Sequence, residues 1–146
     1  MKTTISNKSQ KTFLRSIKNA CVTIYSWDNL PLCFENGIHK EGRAHGNIIE
    51  PIIISYFYSD STEYAIVPMS YSGGGSGLFY FILLFVNVHN HAVQLACADV
   101  MDSGHCRLDS VRVNSDTIVV YINDSPSLTN KFLFHGNNLE VLKNKE

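Results

Sequence analysis

Asp99, Asp102, His105 and Arg107 fall in one polar stretch between two apolar segments, and they are the residues best suited to chemistry in this chain. Two carboxylates and an imidazole can accept and donate protons near neutral pH, and a guanidinium can hold an anion. A general acid–base site, or a clamp for a small ligand, can be assembled from such a set. The same residues also suit a plain turn. Asp102 and Ser103 are turn formers that bond backbone amides, and Arg107 can pair with Asp99 or Asp109. Ser76 is the other candidate. It follows Gly73-Gly74-Gly75, whose backbone amides could cradle a phosphate. As a hydrolase nucleophile it would need glycine at position 78 and a helix after the turn, but the chain has Leu78 and a strand-like run. No Gly-Lys-Ser/Thr follows to complete a phosphate loop.

Metal and nuclease readings are weaker. His89-Asn90-His91 spells a nuclease-like triplet but sits in a predicted turn, without the helix or basic surface such a site uses. His39 and His45 flank a glycine-containing loop near Glu41 and Glu50 and read as exposed loop histidines rather than a transition-metal set. Cys21, Cys33, Cys97 and Cys106 show no CxxC or Cys/His zinc spacing. A two-residue turn at Asp28-Asn29 would set Cys33 opposite Ile24, leaving Cys21 too far away for a bridge. Cys97 and Cys106 are offset in the same way. Buried free thiols are the expectation, with a cross pair such as Cys33 and Cys97 left open. No metal and no cofactor is expected.

The elements that would position these groups are mostly strands. Gly77 leads into Leu78-Phe79-Tyr80-Phe81-Ile82-Leu83-Leu84-Phe85-Val86, apolar at odd and even positions alike. That pattern predicts a strand covered on both faces. Strand-like segments recur at 21–27, 30–35, 48–58, 63–71, 93–97, 108–113, 117–123, 131–134 and 139–142, separated by polar turns. Residues 39–46 read as a loop, while Pro51 and Pro68 suggest strand edges or bulges. Before them, residues 1–11 are polar, and a short helix is expected from Thr12, with Phe13, Leu14, Ile17 and Ala20 on one face. The fold class is mainly β, an antiparallel sheet or sandwich with one short N-terminal helix. Residues 1–20 form a polar leading segment and residues 21–143 a single β-rich domain.

Composition bounds the partners. The 146 residues suit one domain with a real core; 45% are hydrophobic and only 17% charged. A formal net charge of −1 gives no global field for nucleic acid or an anionic membrane, so neither is expected as a partner. Basic residues gather only at the start, as Lys2, Lys8, Lys11, Arg15 and Lys18, which reads as a solvated leader. The apolar run falls far short of the ~20 residues a membrane-spanning helix needs. Polar residues 3–11 replace the apolar stretch of a secretory signal, so the expected location is cytoplasmic.

A resemblance adds to this. Asn19-Ala20, Thr23-Ile24, Glu35-Asn36-Gly37, Gly73-Gly74-Gly75-Ser76-Gly77-Leu78-Phe79-Tyr80, Asp109-Ser110-Val111, Ile118-Val119-Val120, Lys131-Phe132-Leu133 and Leu139-Glu140-Val141 share order and spacing with one family. The chain from 19 to 142 resembles small bacterial secreted or lipoprotein-attached domains of uncharacterised function, with a GGGSG-x-FY motif. The resemblance implies a periplasmic or secreted location as the alternative. It departs at Ser59-Asp60-Ser61-Thr62-Glu63, where the family has an Asp- and Gly-rich, cation-binding type of loop. Calcium takes six to eight oxygen ligands, so with two carboxylates this loop alone is a poor site. It departs again at Gly104-His105-Cys106-Arg107, where the family tends to have Gly-Asp-Arg.

The residues specify an architecture and a lineage rather than a reaction. The leading expectation is a non-catalytic domain that binds or scaffolds a protein partner, through strand addition at an edge or through surface aromatics. The alternatives are a small hydrolase or ligand-binding domain using the Asp99–Arg107 turn, and a bacterial effector or immunity protein.

Overall fold

A strand that is apolar on both faces must lie between two layers, and the computed structural model builds those layers around Phe79–Val88. It describes residues 3–56, 62–75, 77–100, 107–114, 117–123, 128–135 and 138–142. In chain order the elements are helix α1 (Thr3–Lys18), β1 (Cys21–Ile24), β2 (Leu30–Cys33), β3 (Ile38–Glu41), β4 (Ala44–Ile48) and β5 (Ile53–Ser55). They continue with β6 (Tyr64–Ser72), β7 (Phe79–Val88), β8 (His91–Asp99), β9 (Arg107–Asn114), β10 (Thr117–Asn123), β11 (Leu128–His135) and β12 (Asn138–Leu142). The fold is mainly antiparallel β, with one α-helix among the described residues. A central sheet runs β3-β4-β6-β7-β8, with β5 also on β6; a second sheet runs β12-β11-β10-β9; β1 and β2 form a separate hairpin.

Side-chain alternation along β6 and β7 sorts the core into two sides. Ala65, Val67, Met69, Tyr71, Phe81, Leu83 and Phe85 face α1 and the β1–β2 hairpin, packing with Phe13, Ile17, Val22, Ile24, Leu32 and Phe34. Ile66, Ile82, Leu84 and Ala96 face the second sheet and pack with Ile118 and Val120. Phe81 to Phe85 are buried to 1% exposure or less. Each such side chain contributes about 1.5–3 kcal/mol relative to exposure, so this strand alone accounts for a large part of the core.

Several expectations are corrected. The helix begins at Thr3, not Thr12, although Phe13 and Ile17 are buried as the pattern predicts. Residues 39–46 are not a loop. β3 and β4 form a tight hairpin with Glu41 opposite Ala44, and Gly42 takes positive φ in the turn. Pro68 lies inside the sheet between β4 and β7, not on an edge. β4 pairs β6 as far as Met69 and β5 resumes at Ile66, so Pro68 falls in the gap where its missing N–H costs no ladder bond, while its carbonyl accepts from Ile49 N at 2.9 Å. The gap contains the cis Glu50–Pro51 peptide.

The largest correction concerns the cysteines. Cys21 and Cys33 form a disulfide, with Cα atoms 3.9 Å apart. The β1–β2 turn is longer than two residues: Tyr25–Trp27 make a 3-10 turn, Asp28 and Asn29 follow with positive φ, and Ile24 pairs Leu30. That length moves the register so that Cys21 directly opposes Cys33. Trp27 explains the length, because its ring drops edge-on against Tyr71, Phe79 and Phe81 at centroid distances of 5.5, 4.9 and 5.7 Å. Cys97 is a free thiol, and Cys106 lies outside the described residues.

Candidate functional site

β7 begins and β8 ends side by side, and this sets the geometry around the predicted site. Asp99 pairs Phe81, and Val100 N donates to Tyr80 O at 3.0 Å. The Gly73–Gly77 connection and the connection after Val100 therefore leave the same end of the central sheet. Asp99 is tied to the β1–β2 turn, where Ser26 Oγ donates to its Oδ1 at 2.6 Å. Arg107 opens β9 opposite Asn123. Asp102, His105 and Ser76 lie outside the described residues. Of the five predicted site residues, the structure thus places Asp99 in a structural hydrogen bond and Arg107 at a strand start.

Around the glycines, Ser72 Oγ accepts from Gly74 N at 3.3 Å and donates to Gly75 O at 3.4 Å. Gly74 has φ +106°, a conformation side chains rarely adopt, and a Cβ there would stand only 3.0 Å from Arg43 Cβ, so a substitution would be strained.

The same end of the sheet holds a polar group that the sequence reading missed. Asn47, Ser70 and Tyr80 are register neighbours across β4, β6 and β7, and His45 pairs Ser72 in the next row. All five share the face that carries Ile66 and Ile82. Ser70 and Ser72 are buried, at 7% and 5% exposure, and His45 is exposed. Because Ser70 is buried and Ser72 Oγ is bonded within the glycine turn, the half-buried Asn47 carboxamide and Tyr80 phenol and the exposed His45 imidazole are the groups of this set that a polar ligand could reach. The signal was available: residues 70, 72 and 80 are polar where 66, 82 and 84 on the same face are apolar.

Other polar groups are used in construction. Glu63, buried to 7% exposure, accepts from Tyr56 Oη at 2.8 Å and Asn87 Nδ2 at 2.7 Å. Burial and the neighbouring Glu63 carboxylate raise the Tyr56 phenol, partly offset by a hydrogen bond with Gln10. His39 Nδ1 lies 2.9 Å from Cys33 O. A carbonyl only accepts, so that nitrogen carries the proton. Gln94 bonds both backbone groups of Thr23, accepting from N and donating to O at 2.8 Å each, and so pairs the edge of β1 as a strand would. Burial and the nearby Asp99 charge push the Cys97 thiol up to about 12, against a smaller lowering from a backbone hydrogen bond at Tyr25. Such a thiol is a poor nucleophile at neutral pH.

Among the described residues no three His, Cys, Asp or Glu side chains are grouped to hold a metal. No helix among them is long and apolar enough to cross a membrane. Comparisons with protein-family models, with curated proteins and with solved structures found no match.

Proposed function

We propose that this chain is a non-catalytic, β-rich domain whose partner is another protein. The observation that carries the reading is an apolar strip at the β7–β8 hairpin. The face that buries Ile66, Ile82 and Leu84 continues through Tyr64, Val86 and Val93, which are register neighbours, to Val88 opposite His91. There exposure rises to 43% at both Val88 and Val93. A core face that runs on into water is the kind of surface proteins use for association. A second support is β9, an end strand of its sheet whose outer edge pairs no strand among the described residues and so offers a template for strand addition.

The test is affinity capture with the intact protein and with a Val88→Asp/Val93→Asp variant of matching thermal stability. The reading expects a specific protein recovered by the former and lost, by about tenfold or more, in the latter. Equal recovery, or none from either, contradicts it.

A ligand-binding or hydrolytic role is the second reading, favoured by the Asn47–Ser70–Tyr80 row beside the paired ends of β7 and β8. Its sign would be loss of ligand affinity or activity in Ser70→Ala and Tyr80→Phe with unchanged melting. An effector or immunity protein is a third form, recognisable by a toxin gene next to its own. As to location, the Cys21–Cys33 disulfide supports the periplasmic or secreted alternative over the cytoplasm, since such bonds persist in oxidising compartments. The resemblance to bacterial secreted domains points the same way.

A further inference from the structure

Residues 1–20 contain five of the twelve basic residues and none of the thirteen acidic ones. Helix formation turns that leader into a surface. Lys11, Arg15 and Lys18 recur at the four- and three-residue spacing that stacks side chains along one side of a helix. At the C-terminal half of α1, Lys11, Leu14, Arg15, Lys18 and Asn19 join Asn36 of the β2–β3 turn to line an open groove of about 350 Å³. Asn19 ties the helix end to that turn, donating to Arg15 O at 2.9 Å and accepting from Asn36 N at 3.1 Å. Lys18 is held at the rim by Glu50 at 2.8 Å. Lys11 and Arg15 form no ion pair among the described residues.

We propose that this groove docks a short acidic segment of a partner protein, with a carboxylate on Arg15, a second on Lys11, and an apolar contact on Leu14. The proposal names the chemistry of a partner and so rests on the protein-binding reading above, but it uses different residues. Arg15 presents the planar fork that matches a carboxylate. A membrane surface is disfavoured because Phe13 and Ile17, the apolar residues an interfacial helix would insert, are fully buried in the core. A long nucleic-acid strand is disfavoured because all thirteen acidic residues lie outside this segment and repel a polyanion extending beyond the groove.

The experiment is fluorescence anisotropy with a labelled hexaglutamate peptide and the full chain, against hexalysine, an oligothymidylate of equal charge, and phosphatidylserine-containing vesicles. The expected result is saturable hexaglutamate binding that weakens with salt and falls about tenfold or more in Lys11→Glu/Arg15→Glu. The neutral pair Lys11→Gln/Arg15→Gln, which keeps helix-forming side chains, should lose a smaller part of the affinity at unchanged melting temperature. Val88→Asp/Val93→Asp should bind the peptide as the unaltered protein does. Hexaglutamate binding no stronger than hexalysine, binding indifferent to Lys11 and Arg15, or preference for the oligonucleotide or the vesicles overturns the proposal. None of these outcomes touches the valine-strip test, so the two readings fail separately.

Discussion

Cys97 shows how burial turns a reactive group into packing. Its thiol sits in β8 on the side that faces the β1–β2 hairpin, beside Asp99, and both burial and that charge oppose ionisation. In the unfolded chain the thiol ionises from about pH 9, and in the folded protein only near 12. Between those values unfolding releases a proton, so the folded state loses ground as pH rises from about 9 towards 12 and is unaffected below 9. Unfolding free energies measured across that range should fall for the unaltered protein by up to about 1.4 kcal/mol per pH unit more than for Cys97→Ala. Parallel curves for the two proteins would refute the assignment. Gln94 carries a second residue-scale lesson. Gln94 is a polar residue in a strand-like run, and its side chain pairs both backbone groups of Thr23. A long carboxamide that completes a neighbouring strand leaves no periodic trace, because the partner is more than seventy residues away.

Among the elements, β7 and the β9–β10 hairpin were legible because their patterns are local. Ten consecutive strand residues with an apolar run across both faces admit one reading, and Asn114 pairs Thr117 at the near end of the β9–β10 ladder. The β1–β2 turn was not legible. Asp28-Asn29 is a strong two-residue turn signal, but Trp27 gains more by packing on three aromatic rings of the central sheet than a tight turn would return. That tertiary preference lengthened the turn and brought Cys21 to Cys33. Closing a loop with a sequence separation of 12 should stabilise the fold by ~3 kcal/mol in the chain-entropy account. Urea unfolding of the oxidised protein and of Cys21→Ser/Cys33→Ser measures it. A midpoint shift in that direction is expected, and identical midpoints would show that the bond constrains nothing. The β3–β4 hairpin was hidden for a similar reason: Gly42 and Gly46 look like loop residues, yet Gly46 lies in the strand beneath His39 and Tyr71, where a Cβ would stand 3.5–3.6 Å from its neighbours.

At the scale of the whole molecule, three layers follow from one strand that needs two covers. The helix and the β1–β2 hairpin provide one, the β9–β12 sheet the other, and the hairpin end of β7–β8 extends past the second cover with its valines in water. The candidate site was only partly readable. The sequence pointed to the end of the sheet where β7 starts and β8 stops, and Asp99 is there. The row of Asn47, Ser70 and Tyr80 depends on a pairing of three strands that are distant in sequence, so no short motif announces it. The proposed surfaces inherit their positions from this layering, which makes the layering the claim to test first. Native-state hydrogen exchange does so directly. Amides of Phe81, Ile82, Leu83, Leu84 and Phe85 should exchange only through global unfolding, more slowly than any in β3, β5 or β9. Exchange of those five amides as fast as that of the end strands would contradict the three-layered core.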